Sequence, residues 1–298
     1  MEFSIIIPVA PDRNADVLEC LKEVNYSKEK FEIIVEPGSN PSKQRDRGIK
    51  KAKYEKLVFL DDDAYIESDF LSNIKNFFDK YPDYDIVGGV QLTPDSDSKF
   101  SKISGIALSS FFGAYRMKNR YIATKLNLDA CEKDITSAIC IIKKSVFNKI
   151  SSFNPKYFPG EDPDLFIRAK EKNCKIAYDP NIKIYHKRRP SFLSFVKQIY
   201  FYGKVRPRIS KNILSSVFIF PSLFLIYLVF LPALIFFHWL FLLPLLMYII
   251  LAILSSLYES IKAKDPLAFV LLPFLYLAMH LTYGIGYIYG LLERIQFN

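Results

Sequence analysis

The chain has 298 residues, of which 50% are hydrophobic and 15% aromatic, and its formal net charge is +9. This length is sufficient for one sizeable domain and a further region. The four cysteines show no metal-ligand spacing, and we predict that they are reduced thiols in the core or at the surface.

Strand-like and helix-like segments alternate along the N-terminal two thirds of the chain. The predicted strands are Phe3–Val9, Phe31–Val35, Leu57–Leu60, Ile86–Val90, Ile139–Ile142, Lys175–Tyr178 and Ile182–Tyr185. The predicted helices are Asn14–Val24, a segment that Ser42 caps and that runs to Lys53, and Asp69–Lys80. Such alternation indicates right-handed βαβ units and an α/β domain with a mostly parallel sheet.

Three consecutive aspartates, Asp61, Asp62 and Asp63, directly follow the apolar strand Leu57–Leu60. Open α/β sheets bind ligands at the carboxyl ends of their strands. Like charges about 5 Å apart repel by roughly 3 kcal/mol at an effective dielectric near 20, and a divalent cation relieves that repulsion. In an extended stretch Asp61 and Asp63 point to the same side and would be the ligands. The alternative is a solvated acidic turn or a helix N-cap.

A second acidic group lies at Gly160-Glu161-Asp162-Pro163-Asp164. Pro163 suits the first turn of a helix, which makes Asp162 the predicted N-cap. Helix capping is one complete explanation of these residues. The functional alternative is that Gly160 lets a ligand approach while Glu161 or Asp162 acts as general base. No glycine-rich phosphate loop follows the first strand, so a metal and basic side chains would have to hold a nucleotide diphosphate.

Three nearly uncharged segments follow, at Ile213–Phe237, Trp239–Tyr258 and Leu267–Leu292. Because a span needs about 20 apolar residues, we predict three membrane segments within residues 213–298; a buried soluble hairpin is the alternative. Prolines within them predict kinks or re-entrant shapes; they are Pro221, Pro232, Pro244 and Pro273.

A basic run without acidic residues precedes the first predicted span. It comprises Lys187, Arg188, Arg189, Lys197, Lys204, Arg206, Arg208 and Lys211. Basic residues beside a span are retained on the cytoplasmic side, and apolar residues at helical spacing predict an interfacial amphipathic helix at 191–212. Nucleic-acid binding is the competing interpretation, which the adjacent span disfavours. Because the first strand begins at once after Met1, we expect no signal peptide and a cytosolic N-terminal domain.

Several segments between residues 3 and 190 together resemble the inverting family-2 glycosyltransferases with a GT-A fold. The matching segments are Ser4-Ile5-Ile6-Ile7-Pro8, Glu32-Ile33-Ile34-Val35, Arg45-Asp46-Arg47-Gly48-Ile49, Phe59-Leu60-Asp61-Asp62-Asp63, Gly160-Glu161-Asp162-Pro163-Asp164-Leu165, Tyr178-Asp179-Pro180 and Ile184-Tyr185-His186. The resemblance implies a Rossmann-like GT-A domain at 1–190, followed by the interfacial helix and the membrane region.

The resemblance also implies roles for individual residues. Those expected to bind the nucleotide-sugar donor are Pro8, Ala10, Glu36, Arg45, Asp61 and Asp62. Asp61, Asp63 and His186 would hold Mg²⁺ or Mn²⁺, although His186 could instead be a structural histidine at a strand end. Asp162 would be the catalytic base, with Gly160 and Glu161 contacting substrate.

We therefore expect a multi-pass membrane glycosyltransferase with its catalytic domain in the cytosol. It would move one sugar from a nucleotide-diphosphate sugar to a lipid-linked acceptor, for which a polyprenyl-linked glycan is the best candidate. The QxxRW motif of processive synthases is absent after Gln198, which indicates a single transfer. The alternative is a polyprenyl-phosphate glycosyltransferase, although Asp63 is not followed by the Leu-Gln typical of those enzymes. An inactive binding module is disfavoured because both acidic groups are intact.

Overall fold

The computed structural model describes residues 1–209 and 217–297, and these residues form two compact units. The first comprises Met1–Pro94 and Asn119–Lys187, and the second comprises Asp95–Lys118 and the residues from Arg188 onward. The predicted boundaries after residues 190 and 212 stay predictions. The second unit also includes Asp95–Lys118, a segment that the sequence analysis kept within the N-terminal domain.

A seven-stranded sheet forms the centre of the first unit. Its strands are β1 (Phe3–Val9), β2 (Phe31–Pro37), β3 (Lys56–Leu60), β4 (Ala64–Tyr65), β5 (Ile86–Leu92), β6 (Ile139–Lys143) and β7 (Ile176–His186). Their order is β2-β1-β3-β6-β5-β7-β4. β1 is parallel to β2 and β3, β5 is parallel to β7, and only β6 and β4 run antiparallel to their neighbours. The expected mostly parallel α/β sheet is therefore confirmed.

The described residues contain eleven α-helices in addition to short 3₁₀ turns. In chain order they are α1 (Val17–Lys22), α2 (Pro41–Lys51), α3 (Phe70–Lys80), α4 (Lys99–Ser109), α5 (Phe111–Ala114), α6 (Val146–Ile150), α7 (Glu161–Glu171), α8 (Phe192–Ile209), α9 (Phe220–Phe237), α10 (Leu243–Ala263) and α11 (Pro266–Phe297).

Apolar clusters cover both faces of the sheet. On one face Ile5 and Ile7 of β1 pack in a cluster with Phe70 and Ile74 of α3. On the other face Ile6 belongs to a second cluster, to which α2 and α7 also contribute. Because neighbouring residues of a strand point to opposite faces, a strand covered on both sides is apolar along nearly its whole length. Each fully buried aliphatic side chain of this kind contributes roughly 1.5–3 kcal/mol.

Two local predictions were wrong. Asn40, not Ser42, caps α2: its side chain accepts a hydrogen bond from the Lys43 backbone N–H at 3.2 Å. The segments predicted as separate strands at 175–178 and 182–185 form the single strand β7. Asp179 Oδ1 accepts the Asn181 backbone N–H at 2.9 Å within the strand. The neighbouring strand β5 shifts its register between Gly88 and Val90, which accommodates the irregularity.

The second unit contains helices that are long and apolar enough to cross a membrane. These segments are Val217–Phe237, Trp239–Ala263 and Pro266–Ile295. Lys211 of the basic run and the start of the first predicted span at Ile213 lie outside the described residues. Pro232 and Pro273 lie inside α9 and α11, whereas Pro221 and Pro244 lie in the first turns of their helices.

Helix α8 packs closely against the C-terminal half of α11 through glycines. A Cβ atom added at Gly203 of α8 would lie 2.2 Å from the Tyr283 carbonyl oxygen. A Cβ added at Gly286 or Gly290 of α11 would lie 2.1 or 2.0 Å from a carbonyl oxygen of α8. Only glycine permits this approach of two backbones, and small residues are the usual means of close packing between membrane helices.

Candidate active site

Most of the predicted site residues lie at one edge of the sheet in the first unit. The carboxyl ends of β2, β1 and β3 meet there because these neighbouring strands are parallel. Pro8 is buried in β1 opposite Glu36 of β2, and Ala10 is exposed directly after β1. Asp61 follows β3, and His186 ends β7, which runs in the same direction. This edge is where ligands bind in open α/β sheets.

Glu36 is engaged by basic residues of α2. Its carboxylate, 2% exposed, lies 2.8 Å from Arg47 Nε and 2.7 Å from Lys51 Nζ. Burial opposes ionisation of this group, but the hydrogen bonds from Lys51 and Arg47 lower its pKa. A contact with the nucleotide, as the resemblance implies, would have to compete with these two ion pairs.

The aspartate triplet forms a turn, not the extended stretch expected from the sequence, because the Ala64 N–H donates to the Asp61 carbonyl at 3.2 Å. Even so, Asp61 and Asp63 converge on one histidine. His186 Nε2 lies 3.1 Å from Asp63 Oδ1 and 3.8 Å from Asp61 Oδ2. One ligand atom from each of the three residues lies within 4.8 Å of the others. The antiparallel pairing of Ala64 with His186 places the histidine there.

The chemistry of this donor set fits the expected divalent cation. Carboxylate oxygens are the usual ligands of Mg²⁺ and Mn²⁺, and an imidazole nitrogen also suits transition metals. The side chains of Asp61, Asp63 and His186 are between 22% and 31% exposed, so that an ion can enter from solvent. By contrast, the Asp62 side chain is only 8% exposed.

Arg13 is a site residue that the sequence analysis missed. Its Nη1 lies 3.2 Å from Asp62 Oδ1 and 3.3 Å from Asp63 Oδ2. Burial opposes ionisation of Asp63, but the hydrogen bond from His186 and the charge of Arg13 lower its pKa to about 2. The pKa of Asp62 is raised, first by burial and then by the charge of Asp63. The sequence feature that could have identified Arg13 was the presence of a basic residue in the loop after the first strand.

Arg45 joins the two acidic groups. This buried side chain, 5% exposed, donates from Nη2 to Asp61 Oδ1 at 3.1 Å and from Nη1 to Glu161 Oε1 at 2.9 Å. Burial opposes the positive charge, but Asp61 and Glu161 raise the pKa of Arg45. Burial also raises the pKa of Glu161. The positive charge of Arg45 acts to lower this pKa, whereas the negative charge of Asp162 raises it further. The residues predicted on separate motifs are thus brought together in the fold.

Asp162 lies in the first turn of α7 and is not its N-cap. The helix begins at Glu161 with Gly160 as N-cap, so the predicted capping role was wrong. Asp162 Oδ2 accepts a hydrogen bond from the backbone N–H of Ser137 at 3.4 Å, and its half-buried carboxylate benefits from the helix dipole. Ser137 lies just before β6, a position that no sequence motif indicated. In contrast, Asp164 is paired with Arg168 at 2.8 Å along the same helix.

Comparison with known proteins gives one family match. The model of the family described as "Glycosyltransferase like family 2" matches residues 1–200. This range includes every predicted site residue. Among curated proteins, none gives a significant match.

Solved structures resemble the chain at low sequence identity. Mannosyltransferase PcManGT from Pyrobaculum calidifontis, in complex with GDP-Man and Mn²⁺, is 12% identical, with a TM-score of 0.54 over 98% of this chain and 88% of that chain. TarS 1–349 from S. aureus, in complex with UDP-GlcNAc, is 16% identical, with a TM-score of 0.48 over 71% of this chain and 68% of that chain. In the longer S. aureus TarS structure, the similarity covers only 39% of that chain. The PcManGT similarity confirms the expected GT-A fold.

Proposed function

Because the chain belongs to glycosyltransferase family 2, we propose that it is a metal-dependent, inverting and non-processive enzyme of this family. It moves one hexose-type sugar from a nucleotide-diphosphate donor to a hydroxyl of a lipid-linked glycan, in a pathway of glycan biosynthesis. The observation that carries the proposal is the convergence of Asp61, Asp63 and His186 on one possible metal position. Arg45 connects that position to the helix that carries Asp162.

The proposed mechanism divides the work between two groups of side chains. Asp61, Asp63 and His186 would hold Mg²⁺ or Mn²⁺, which when bound neutralises the leaving diphosphate. Arg13 adds a second positive charge beside Asp63. Asp162 accepts the proton of the acceptor hydroxyl, which attacks the anomeric carbon from the face opposite the leaving group. One catalytic carboxylate is sufficient because no side chain has to protonate the diphosphate.

The helical unit supports a lipid-linked acceptor and a multi-pass location in the cell membrane. Three of its segments have the length and hydropathy of membrane spans. The basic run that precedes them favours a cytosolic catalytic unit, because basic residues beside spans are retained on that side. An acceptor carried on a polyprenyl chain would be presented at the cytosolic surface of the membrane.

A panel of nucleotide sugars, each supplied with a polyprenyl-linked glycan as acceptor and read by release of the nucleoside diphosphate, tests the reaction class. We expect release with one donor, and we expect EDTA to lower its rate by about 100-fold or more, because the bound cation supplies several kcal/mol to departure of the diphosphate. Addition of Mn²⁺ or Mg²⁺ in excess of EDTA should restore the rate. Full activity in EDTA would contradict the metal role, and inertness toward every donor would contradict the enzyme class.

The acceptor is tested separately by supplying a polyprenyl-linked glycan and bare polyprenyl phosphate side by side. We expect the sugar to appear on the glycan, as a product that keeps its diphosphate linkage. Mass spectrometry of the extracted lipids distinguishes this product from a lipid-phosphate sugar. A labelled product from bare polyprenyl phosphate alone would instead establish the alternative enzyme, which makes a lipid-phosphate sugar donor.

A further inference from the structure

The guanidinium of Arg45 has two carboxylate partners that come from distant parts of the chain. Asp61 belongs to the turn after β3, and Glu161 is the first residue of α7. Nη2 lies 3.1 Å from Asp61 and Nη1 lies 2.9 Å from Glu161. The ring of Phe153 lies 5.4 Å from the centre of the guanidinium. Both partners therefore share the positive charge of one guanidinium, whose side chain is itself 5% exposed.

The two partners differ in their access to solvent. The Asp61 side chain is 29% exposed and can reach an ion, whereas the Glu161 side chain is 7% exposed. The two carboxylates together carry more negative charge than the single positive charge of the guanidinium that they contact. A buried charge without such a partner would be strongly destabilising. The planar fork of arginine suits this double contact better than the single ammonium of lysine.

The sharing has an electrostatic consequence for a cation at Asp61. A positive guanidinium beside Asp61 competes with the cation for the same carboxylate and repels it. Glu161 draws on the same guanidinium from its other side and offsets that repulsion. Charges at such separations act strongly on each other where the effective dielectric is low.

We propose that Glu161 is a positioning residue that sets the divalent-cation affinity of Asp61 through Arg45, without touching the cation or the donor. This inference rests on the proposed function, because it presumes that Asp61 is a metal ligand. It assigns Glu161 a different role from the substrate contact that the sequence resemblance implied. It also makes Arg45 a link between the metal ligands and the helix of Asp162, in place of a donor-binding residue.

The test measures the affinity of the full-length protein for Mn²⁺ alone, by electron paramagnetic resonance of free Mn²⁺ at pH 8. We expect Glu161→Gln to weaken Mn²⁺ binding about tenfold, because Arg45 then acts on Asp61 without its counter-charge. The double variant Arg45→Met with Glu161→Gln should bind Mn²⁺ at least as tightly as the unaltered protein. If Glu161 had a purely structural role, the double variant should bind Mn²⁺ more weakly than Glu161→Gln, because a second substitution in a buried network would disturb the site further.

Two controls separate this inference from the proposed function. Glu171→Gln removes the same charge from the far end of α7 and should leave Mn²⁺ affinity unchanged, whereas Asp61→Asn should abolish tight binding. If Asp61→Asn binds Mn²⁺ normally, the metal site itself is wrong. If Asp61→Asn fails to bind while Glu161→Gln binds normally, the metal site stands and the link through Arg45 is overturned. Should the double variant not fold, equal Mn²⁺ affinities of Glu161→Gln and Glu171→Gln would still overturn the link through Arg45.

Discussion

Asp162→Asn is expected to lower kcat for sugar transfer by roughly 10²–10⁴-fold, the usual contribution of a general base. The asparagine can still accept the hydrogen bond from Ser137, so the local structure should persist. Donor binding should change little, because the proposed role of Asp162 is toward the acceptor hydroxyl. The measurements are kcat with saturating acceptor and the donor dissociation constant by calorimetry.

A matched control for this substitution lies two residues along the chain. Asp164→Asn removes the same charge from the first turn of α7, but its partner is Arg168 and not the site. We expect it to reduce stability slightly and to retain a kcat within a few-fold of normal. An Asp162→Asn variant with normal turnover, or equal losses in both variants, would rule out Asp162 as the base.

Asp63→Asn is expected to remove tight Mn²⁺ binding and to lower kcat/KM by about 10²–10³-fold, because charge neutralisation by a bound cation is worth several kcal/mol. Asp63 contributes an oxygen at the position that it shares with Asp61 and His186. The measurements are Mn²⁺ affinity without donor and kcat/KM as a function of Mn²⁺ concentration.

The neighbouring Asp62 supplies the comparison for this second result. Its side chain is 8% exposed and lies 3.2 Å from Arg13, and it is absent from the group that could hold a metal. Asp62→Asn removes a nearby charge but no ligand, so it should weaken Mn²⁺ binding much less than Asp63→Asn does. A loss of Mn²⁺ binding in Asp62→Asn equal to that in Asp63→Asn would mean that the ligand set is wrong.

Local patterns predicted the strand ends and therefore much of the site. The apolar run before Asp61 predicted a buried strand, and parallel neighbours bring their carboxyl ends to one edge. His186 was predicted at a strand end, and its pairing with Ala64 places it beside Asp63. These features depend on residues close in sequence or on the regular geometry of sheets, and both can be inferred from a single sequence.

The remaining features depend on long-range packing that no local pattern specifies. Ser137 contacts Asp162 because β6 enters the sheet antiparallel beside β3. The segment Asp95–Lys118 joins the helical unit, where the Phe112 ring lies 5.1 Å from that of Tyr276 and 5.4 Å from that of Tyr248. The apolar character of Phe112 was evident in the sequence, but the identity of its partners was not.

The glycine contacts between α8 and α11 have a consequence for how the protein is made. α8 precedes α9 and α10 in the chain, but the residues that it packs against, Gly286 and Gly290, lie in α11, which follows them. Lys204 of α8 likewise finds its acidic partner at Glu293, 3.0 Å away. A growing chain must therefore hold the basic helix without its partner until α11 has been synthesised. Deletion of α11 would remove these partners of the basic helix, however well the sheet domain had already folded.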